Sequence, residues 1–152
     1  MIERYRAIII KDNNILLMRR CIENREFYVF PGGKLEENET PAQCCERELA
    51  EEFGIKVKVK KMIYLTHQLE SKQGFFLCDW VSGKIHKTDA VEYTGKDNAH
   101  FGTYEPTTVP LTQIPDITLY PCEVAQHLNE DLQKFGTELQ RPLIEFECVF
   151  KK

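Results

Sequence analysis

Short apolar runs divided by turn residues predict most of the strands in the first part of the chain. Residues 5–10 are rich in isoleucine and end in a run that is apolar on both faces, which is typical of a buried strand. Residues 12–14 read as an Asp-Asn-Asn turn, and residues 15–20 return as a second strand. We therefore predict a hairpin of these two strands, followed by a short third strand over residues 27–30 that ends at Pro31.

The next segment has the features of an amphipathic helix, which we predict over residues 41–53. Thr40 and Gln43 form a T-x-x-Q capping box, and Pro41 suits the first helical position. Gly54 stands where a left-handed C-terminal cap belongs. An apolar stripe recurs at helical spacing, at Ala42, Cys45, Leu49 and Phe53.

The second half of the chain contains further strand patterns before and after one more helix. Strand-type sequence covers residues 55–68 and 74–81, residues 84–102 predict a long loop, and residues 103–111 predict another strand despite Pro106.

A second amphipathic helix lies between Pro121 and Gly136, with an apolar stripe at Val124, Leu128, Leu132 and Phe135. Residues 143–150 alternate as a half-buried strand, which pairs either within the chain or across a homodimer. The pattern indicates a mixed α/β (α+β) class.

Length and charge limit the classes of function. The 152 residues suit one domain, which we take as residues 1–152, and 42% hydrophobic with 29% charged residues is ordinary for a globular protein. A formal charge of -4 gives no general attraction for DNA or RNA, so we expect no stable nucleic-acid partner. The same charge repels polyphosphates unless a metal ion or a local basic patch reverses the field.

The cysteines and the N-terminus favour a reduced compartment. The six cysteines are scattered without a Cys-x-x-Cys pair, the N-terminus shows no signal peptide, and no apolar run approaches the roughly 18 residues of a membrane span. We therefore expect a cytoplasmic protein with no membrane association.

Three glutamates on the first predicted helix are the strongest candidates for chemistry. Glu48, Glu51 and Glu52 stand at i, i+3 and i+4 and fall on one helix face. Three oxygen ligands on a rigid element suit Mg²⁺ or Mn²⁺, and the preceding Gly-Gly loop offers a backbone carbonyl as a further ligand. Three glutamates alone are more often a solvated helix face than a metal site, so the spacing of the surrounding residues decides between the two interpretations.

That spacing resembles the Nudix box, G-x5-E-x7-R-E-U-x-E-E-x-G-U, in which U is a bulky aliphatic residue. The nine specified positions all match: Gly33, Glu39, Arg47, Glu48, Leu49, Glu51, Glu52, Gly54 and Ile55. Average residue usage puts a chance match at on the order of one in 10⁹ per starting position. The chain therefore resembles the Nudix hydrolase superfamily, and most of all its MutT-like nucleotide pyrophosphatases.

The resemblance implies roles for the box residues. Glu48, Glu51 and Glu52 would be metal ligands, with the carbonyl of Gly32 as an extra ligand. One glutamate, or a carboxylate outside the box, would help to deprotonate the attacking water. Glu39 would pair with Arg47 and orient the loop. The implied architecture is an αβα sandwich with a mixed β-sheet, on which the helix packs its Leu49 and Phe53 stripe.

Other candidates lie outside the box. Arg19, Arg20 and Lys34 flank the glycine loop or end the second strand, so they either contact phosphates or are ordinary surface charges. Some family members use a distal acidic residue, for which Glu92, Asp97 and Glu105 are candidates here.

The lysines at positions 56, 58 and 60 are better explained as a solvated strand face than as a nucleic-acid site. Phe75, Phe76 and Trp80 either stack on a base or belong to the core, and the core is the commoner case.

Several subfamily features are absent around residues 69–74, namely a proline typical of ADP-ribose hydrolases and a tyrosine typical of some dinucleoside polyphosphate hydrolases. The signature of the NADH-cleaving group is also absent. What is left is a metal-dependent hydrolase of a small nucleoside triphosphate or modified nucleotide, releasing nucleoside monophosphate and pyrophosphate. Another diphosphate (ADP-ribose, a dinucleoside polyphosphate, a nucleotide sugar or an RNA 5' end) stays open. A non-catalytic nucleotide-sensing module is a further alternative, which the intact set of box glutamates disfavours.

Overall fold

A mixed five-stranded sheet between two helices is the central layer of the computed structural model, which describes residues 1–88 and 102–149. The strands are β1 (Ile2–Ile8), β2 (Ile10–Lys11), β3 (Asn14–Ile22), β4 (Arg25–Val29), β5 (Gly32–Lys34), β6 (Lys56–Gln68), β7 (Ser71–Ser82), β8 (Thr103–Pro110), β9 (Leu119–Tyr120) and β10 (Ile144–Glu147). The helices are α1 (Pro41–Phe53) and α2 (Cys122–Phe135), with a 3₁₀ turn at Leu111–Asp116.

The central sheet has the order β10-β6-β7-β1-β5 and separates two apolar clusters. Side chains alternate between its faces, because successive strand residues point to opposite sides. Ala7 and Phe76 face the cluster that contains Leu49 and Phe53 of α1. Ile8 and Phe75 face the cluster that contains α2. The predicted αβα sandwich with a mixed sheet is confirmed, and the buried Phe75 and Phe76 belong to its core.

The predicted hairpin is wrong except at its tip. Only Ile10 and Lys11 pair antiparallel with the start of β3, whereas β1 pairs in parallel with β7 and antiparallel with β5. β3 belongs to a second sheet, of order β2-β3-β4-β9, with β8 added to the other edge of β3. The chain crosses from one sheet to the other between residues 8 and 10, a change that a run of three isoleucines does not signal.

Most of the remaining predicted elements are present, but β5, β9 and the 3₁₀ turn have no counterpart among the predictions. Residues 89–101 of the predicted loop lie outside the described residues. Pro106 is accommodated because β8 pairs, among the described strands, only with β3, and an edge strand tolerates a residue without an N–H. The final strand is shorter than predicted and pairs in parallel with residues 64–67 of β6 in the same chain. Neither helix in the described part of the chain is long and apolar enough to cross a membrane.

Candidate active site

The glycine loop reaches the site through the pairing of β5 with β1. Gly32 lies opposite Arg6, and Gly33 lies opposite Tyr5. Gly32 has φ 144°, and a Cβ there would stand 2.2 Å from the carbonyl oxygen of Tyr5. A Cβ on Gly33 would stand 2.5 Å from the carboxyl group of Glu48. Glycine is therefore required at position 32, and a side chain at position 33 would displace the Glu48 carboxylate, which lies directly against the loop.

The predicted caps place the glutamates on a well-defined helix. Thr40 Oγ1 accepts a hydrogen bond from the backbone N–H of Gln43 at 3.1 Å, and Gln43 Oε1 accepts one from the N–H of Thr40 at 2.9 Å. Gly54 ends the helix in the left-handed conformation, with φ 70°. The predicted bounds of residues 41–53 agree with α1.

The three box glutamates differ strongly in exposure. The side chain of Glu48 is 12% exposed and that of Glu51 is 54% exposed. Glu52 is 8% exposed as a residue and is one of the few buried charged residues of the described chain. Since a buried carboxylate needs a cation or hydrogen-bond partners, the burial of Glu52 indicates more than a solvated helix face.

Arg47 connects these carboxylates to the loop. Its Nε and Nη2 donate to the two oxygens of Glu39 at 2.6 and 3.1 Å, a bidentate pair. Its Nη1 donates to Glu48 at 2.9 Å and to Glu51 at 3.2 Å. Nη2 also donates to the backbone carbonyl of Lys34 at 3.1 Å. One guanidinium therefore holds the glycine loop, Glu39 and the face of α1 in a single arrangement.

The charges in this network stabilise each other. The hydrogen bond from Arg47 holds the pKa of the Glu39 carboxyl below its usual value, and burial opposes that effect. The hydrogen bond to Glu39 raises the pKa of Arg47 above its ordinary value, and the pairing with Glu48 adds to it. Both groups are therefore charged across the physiological pH range.

The oxygen donors at the site are of the chemical types that a hard divalent cation prefers. Carboxylates from α1 and the carbonyl oxygen of Gly32 are the oxygen ligands that Mg²⁺ and Mn²⁺ accept. In the conformation observed, no group of three His, Cys, Asp or Glu side chains among residues 1–88 and 102–149 converges on one metal position. Glu48 and Glu51 instead share Nη1 of Arg47. Binding a cation at these residues would therefore draw at least one carboxylate away from Arg47.

Arg6 joins the carboxylate cluster to a neighbouring cavity. Its Nη1 donates to the carbonyls of Phe30 and Gly32 at 3.2 and 3.3 Å, and its Nε donates to Gln73 Oε1 at 3.1 Å. Burial lowers the pKa of Arg6, and the charges of Glu52 and Glu48 partly offset this. Arg6 therefore carries a fixed positive charge beside the box glutamates.

The cavity has a volume of about 550 Å³ and lies between the central sheet and the start of α2. Arg4, Arg6 and Gln73 line its sheet side. Tyr120 of β9 and Glu123 in the first turn of α2 line the opposite side. The volume falls within the range of small-molecule sites, and the lining mixes aromatic, cationic and hydrogen-bonding groups.

Three other predicted site residues, Arg19, Arg20 and Glu105, contact a different part of the fold. Arg19 pairs with Glu26 and stands 3.8 Å from Glu105, so both Arg19 and Glu105 are engaged across β3, β4 and β8. Arg20 stacks on Tyr104, with 3.7 Å from its guanidinium carbon to the ring centroid.

Lys34 is exposed, and its backbone carbonyl contacts Arg47. Arg47 therefore joins Glu39, Glu48 and Glu51 by hydrogen bonds, and it contacts Lys34 through the backbone carbonyl of that residue. Glu92 and Asp97 lie outside the described residues.

Sequence reasoning missed Arg6 and the cavity residues. Arg6 stands between Tyr5 and Ala7 inside a buried strand, and a charged residue in such a run was a usable signal. Tyr120 and Glu123 line the cavity together with Arg6, which is far away in the sequence, and no local pattern indicates this proximity.

Comparison with known proteins agrees with the box. The sequence model of the NUDIX domain matches residues 1–124. An 8-oxo-dGTP diphosphatase of Proteus vulgaris is 51% identical over 49 residues, which are 31% of this chain and 44% of that protein. A CTP pyrophosphohydrolase of Escherichia coli (strain K12) is 35% identical over 105 residues, 66% of this chain and 70% of that protein.

The fold has solved counterparts. A NUDIX hydrolase structure from Nitrosomonas europaea superposes with a TM-score of 0.71 at 16% identity, covering 99% of this chain and 79% of that one. The chain thus shares the fold with that structure and spans less than half of the Proteus relative. Because the NUDIX match covers most of the chain and includes the full box, the chain belongs to the Nudix hydrolase family.

Proposed function

We propose that this chain hydrolyses the diphosphate linkage of a nucleoside triphosphate or modified nucleotide, releasing nucleoside monophosphate and pyrophosphate. The observation that carries the proposal is the position of Arg6, which contacts the glycine loop and lines the 550 Å³ cavity. A nucleotide whose diphosphate lies at the box glutamates therefore has an adjoining space for its nucleoside. The names of the relatives, which concern 8-oxo-dGTP and CTP, support this substrate class.

The reaction depends on a divalent cation in this proposal. Glu48, Glu51, Glu52 and the Gly32 carbonyl would hold Mg²⁺ or Mn²⁺. When bound, the cation neutralises the diphosphate and lowers the pKa of a coordinated water. It also compensates the repulsion between a polyanion and a chain of charge -4.

The protein residues supply positioning. Arg47 and Glu39 hold the glycine loop against α1, so that the carboxylates and the loop carbonyl keep one relative position. Arg6 offers fixed positive charge at the boundary between the carboxylates and the nucleoside space. Phosphoryl transfer requires mainly such positioning and charge neutralisation.

We propose that the protein acts in the cytoplasm, because its cysteines are free thiols, as expected in a reducing compartment. All six cysteines are free, and the sulfurs of Cys45 and Cys78 lie 3.9 Å apart in the core as hydrogen-bonded thiols without a disulfide. Burial raises the pKa of the Cys44 thiol to about 12, which makes it a small apolar side chain at neutral pH.

The test measures the hydrolysis products of a panel of standard and 8-oxo triphosphates, ADP-ribose, dinucleoside polyphosphates and nucleotide sugars, with Mg²⁺, Mn²⁺ or EDTA. Triphosphates would give nucleoside monophosphate and pyrophosphate, whereas the other substrates would give a nucleotide and a second phosphorylated product. We expect turnover of triphosphates that EDTA abolishes and that Glu52→Gln lowers by about 100-fold or more, since a ligand should matter at least as much as its supporting groups. Glu130→Gln, an exposed glutamate of α2, is the matched control. Unchanged hydrolysis in Glu52→Gln contradicts the metal site, and turnover of another diphosphate alone contradicts the substrate class.

A further inference from the structure

Three exposed apolar side chains surround the mouth of the cavity. Ile2, Leu69 and Val149 are 43%, 96% and 65% exposed, and all three line this cavity. They are half of the six large exposed hydrophobic residues of the described chain, and they come from three distant parts of the sequence. Since scattered exposure needs no explanation but clustered exposure indicates a binding surface, this grouping points to a ligand.

Hydrogen bonds from backbone N–H groups fix the chain segments that carry or adjoin these three side chains. The N–H of Ile2 donates to the carbonyl of Glu70 at 3.0 Å, which ties the N-terminus to the turn between β6 and β7. The N–H of Val149 donates to Glu123 Oε2 at 2.6 Å, and the N–H of Cys148 donates to the carbonyl of His67 at 2.8 Å. The C-terminal segment is thereby fixed across the start of α2.

Leu69 is almost fully exposed, and its backbone conformation is unfavourable for leucine. Its φ is 49°, in the left-handed region that glycine or asparagine adopts at lower cost than leucine. An almost fully exposed leucine in that conformation contributes little to the fold through burial. A role in contacting a ligand accounts for its presence better than a role in stability does.

We propose that Ile2, Leu69 and Val149 form an apolar lip that packs on the nucleoside of the bound nucleotide and sets its affinity. This inference rests on the proposed function, because the nucleoside is the part of that substrate which extends from the box into the cavity. Val149 lies beyond the residues 1–124 that match the NUDIX domain, so it adds a wall from outside the family-matched segment. The lip is thus a specificity-determining feature built partly by the C-terminal segment.

The experiment compares Leu69→Asn and Val149→Ser with wild type. Asparagine suits the left-handed backbone, so Leu69→Asn keeps or raises the melting temperature while removing the apolar contact. We expect both variants to raise KM about tenfold with kcat within about twofold, as for loss of apolar contact in a binding pocket. Inhibition by inorganic pyrophosphate, which has no nucleoside, stays at the wild-type value. Leu143→Asn is the control, because Leu143 is 51% exposed and does not line the cavity.

Binding of CMP and 8-oxo-dGMP in EDTA separates this inference from the proposed function. Weaker binding in both lip variants, with Leu143→Asn like wild type, supports the lip whether or not Glu52→Gln affects hydrolysis. Wild-type binding in both variants overturns the lip and leaves the hydrolysis proposal standing. An equal loss of pyrophosphate inhibition overturns it as well, because the effect is then not confined to the nucleoside. Loss of self-association in Leu69→Asn with unchanged nucleotide binding overturns it in favour of an interface between two copies.

Discussion

At the scale of single residues, Arg47 determines the geometry of the candidate active site. Its guanidinium contacts Glu39 through two hydrogen bonds and also reaches Glu48, Glu51 and the backbone of Lys34. Only a planar group with five donors makes this set of contacts at once. The box therefore requires arginine for its shape and number of donors as well as for its charge.

We expect Arg47→Lys to lower kcat by about 10- to 100-fold, the range observed when groups that orient metal ligands are lost. Lysine keeps the positive charge but cannot hold Glu39 and Glu48 together. Steady-state kinetics with the preferred nucleotide measure the effect. Wild-type kcat in this variant would show that charge alone is sufficient.

The pairing of Glu39 with Arg47 makes the stability of the fold decrease at acid pH. Its folded-state pKa is lowered by Arg47, so the pair stabilises the fold fully above the usual glutamate pKa of about 4.5 and loses this effect as pH falls through the lowered value. We expect Glu39→Gln to lose about 1 kcal/mol of unfolding free energy at neutral pH. The difference from wild type should narrow below about pH 4, as followed by urea unfolding over a pH series. A difference that stays constant down to about pH 3 would contradict the linkage.

At the scale of elements, α1 is the part of the protein that local sequence describes best. Its cap, its first proline, its apolar stripe and its final glycine agree with the observed helix. Each of these signals acts within four residues, and the hydrogen bonds they describe are local as well. β1 shows the opposite case, because its partners β5 and β7 are distant in the sequence and the sequence of β1 does not indicate which strands it pairs with.

Thr40→Ala tests the contribution of the capping box. We expect a loss of about 1 kcal/mol in unfolding free energy, since the N–H of Gln43 loses its side-chain acceptor. Thr40→Ser retains the hydroxyl and serves as the matched control. Equal urea midpoints for the two variants would mean that the cap does not stabilise the helix.

At the scale of the whole molecule, the two faces of the central sheet have separate tasks. One face packs α1, which carries the box glutamates, and the other packs α2 and contains a polar network at Asp131. Asp131 is 6% exposed and accepts hydrogen bonds from Tyr64 Oη at 2.5 Å and Arg141 Nη1 at 2.7 Å. This network joins α2, β6 and the segment before β10, so it supports the strand that precedes Val149.

Asp131→Ala should lower the unfolding free energy by about 3 kcal/mol, because it leaves the charge of Arg141 buried without its partner. Tyr64→Phe removes one hydrogen bond from the same carboxylate and should cost about 1 kcal/mol. Urea unfolding of both variants measures the difference. A smaller effect of Asp131→Ala than of Tyr64→Phe would contradict the assignment of Asp131 as the centre of the network.

The sequence by itself predicted the residues at the carboxylate end of the candidate site and the helix that carries most of them. Glu39, Arg47 and the three glutamates lie within one loop and one helix, where spacing alone sets which side chains meet. Only the tertiary structure placed Arg6 beside Gly32, brought Glu123 and Val149 together, and divided the strands between two sheets. Those contacts join residues far apart in the chain, and they are selected by how whole sheets and helices bury their apolar faces. The nucleoside end of the proposed site therefore becomes visible only once the chain is folded.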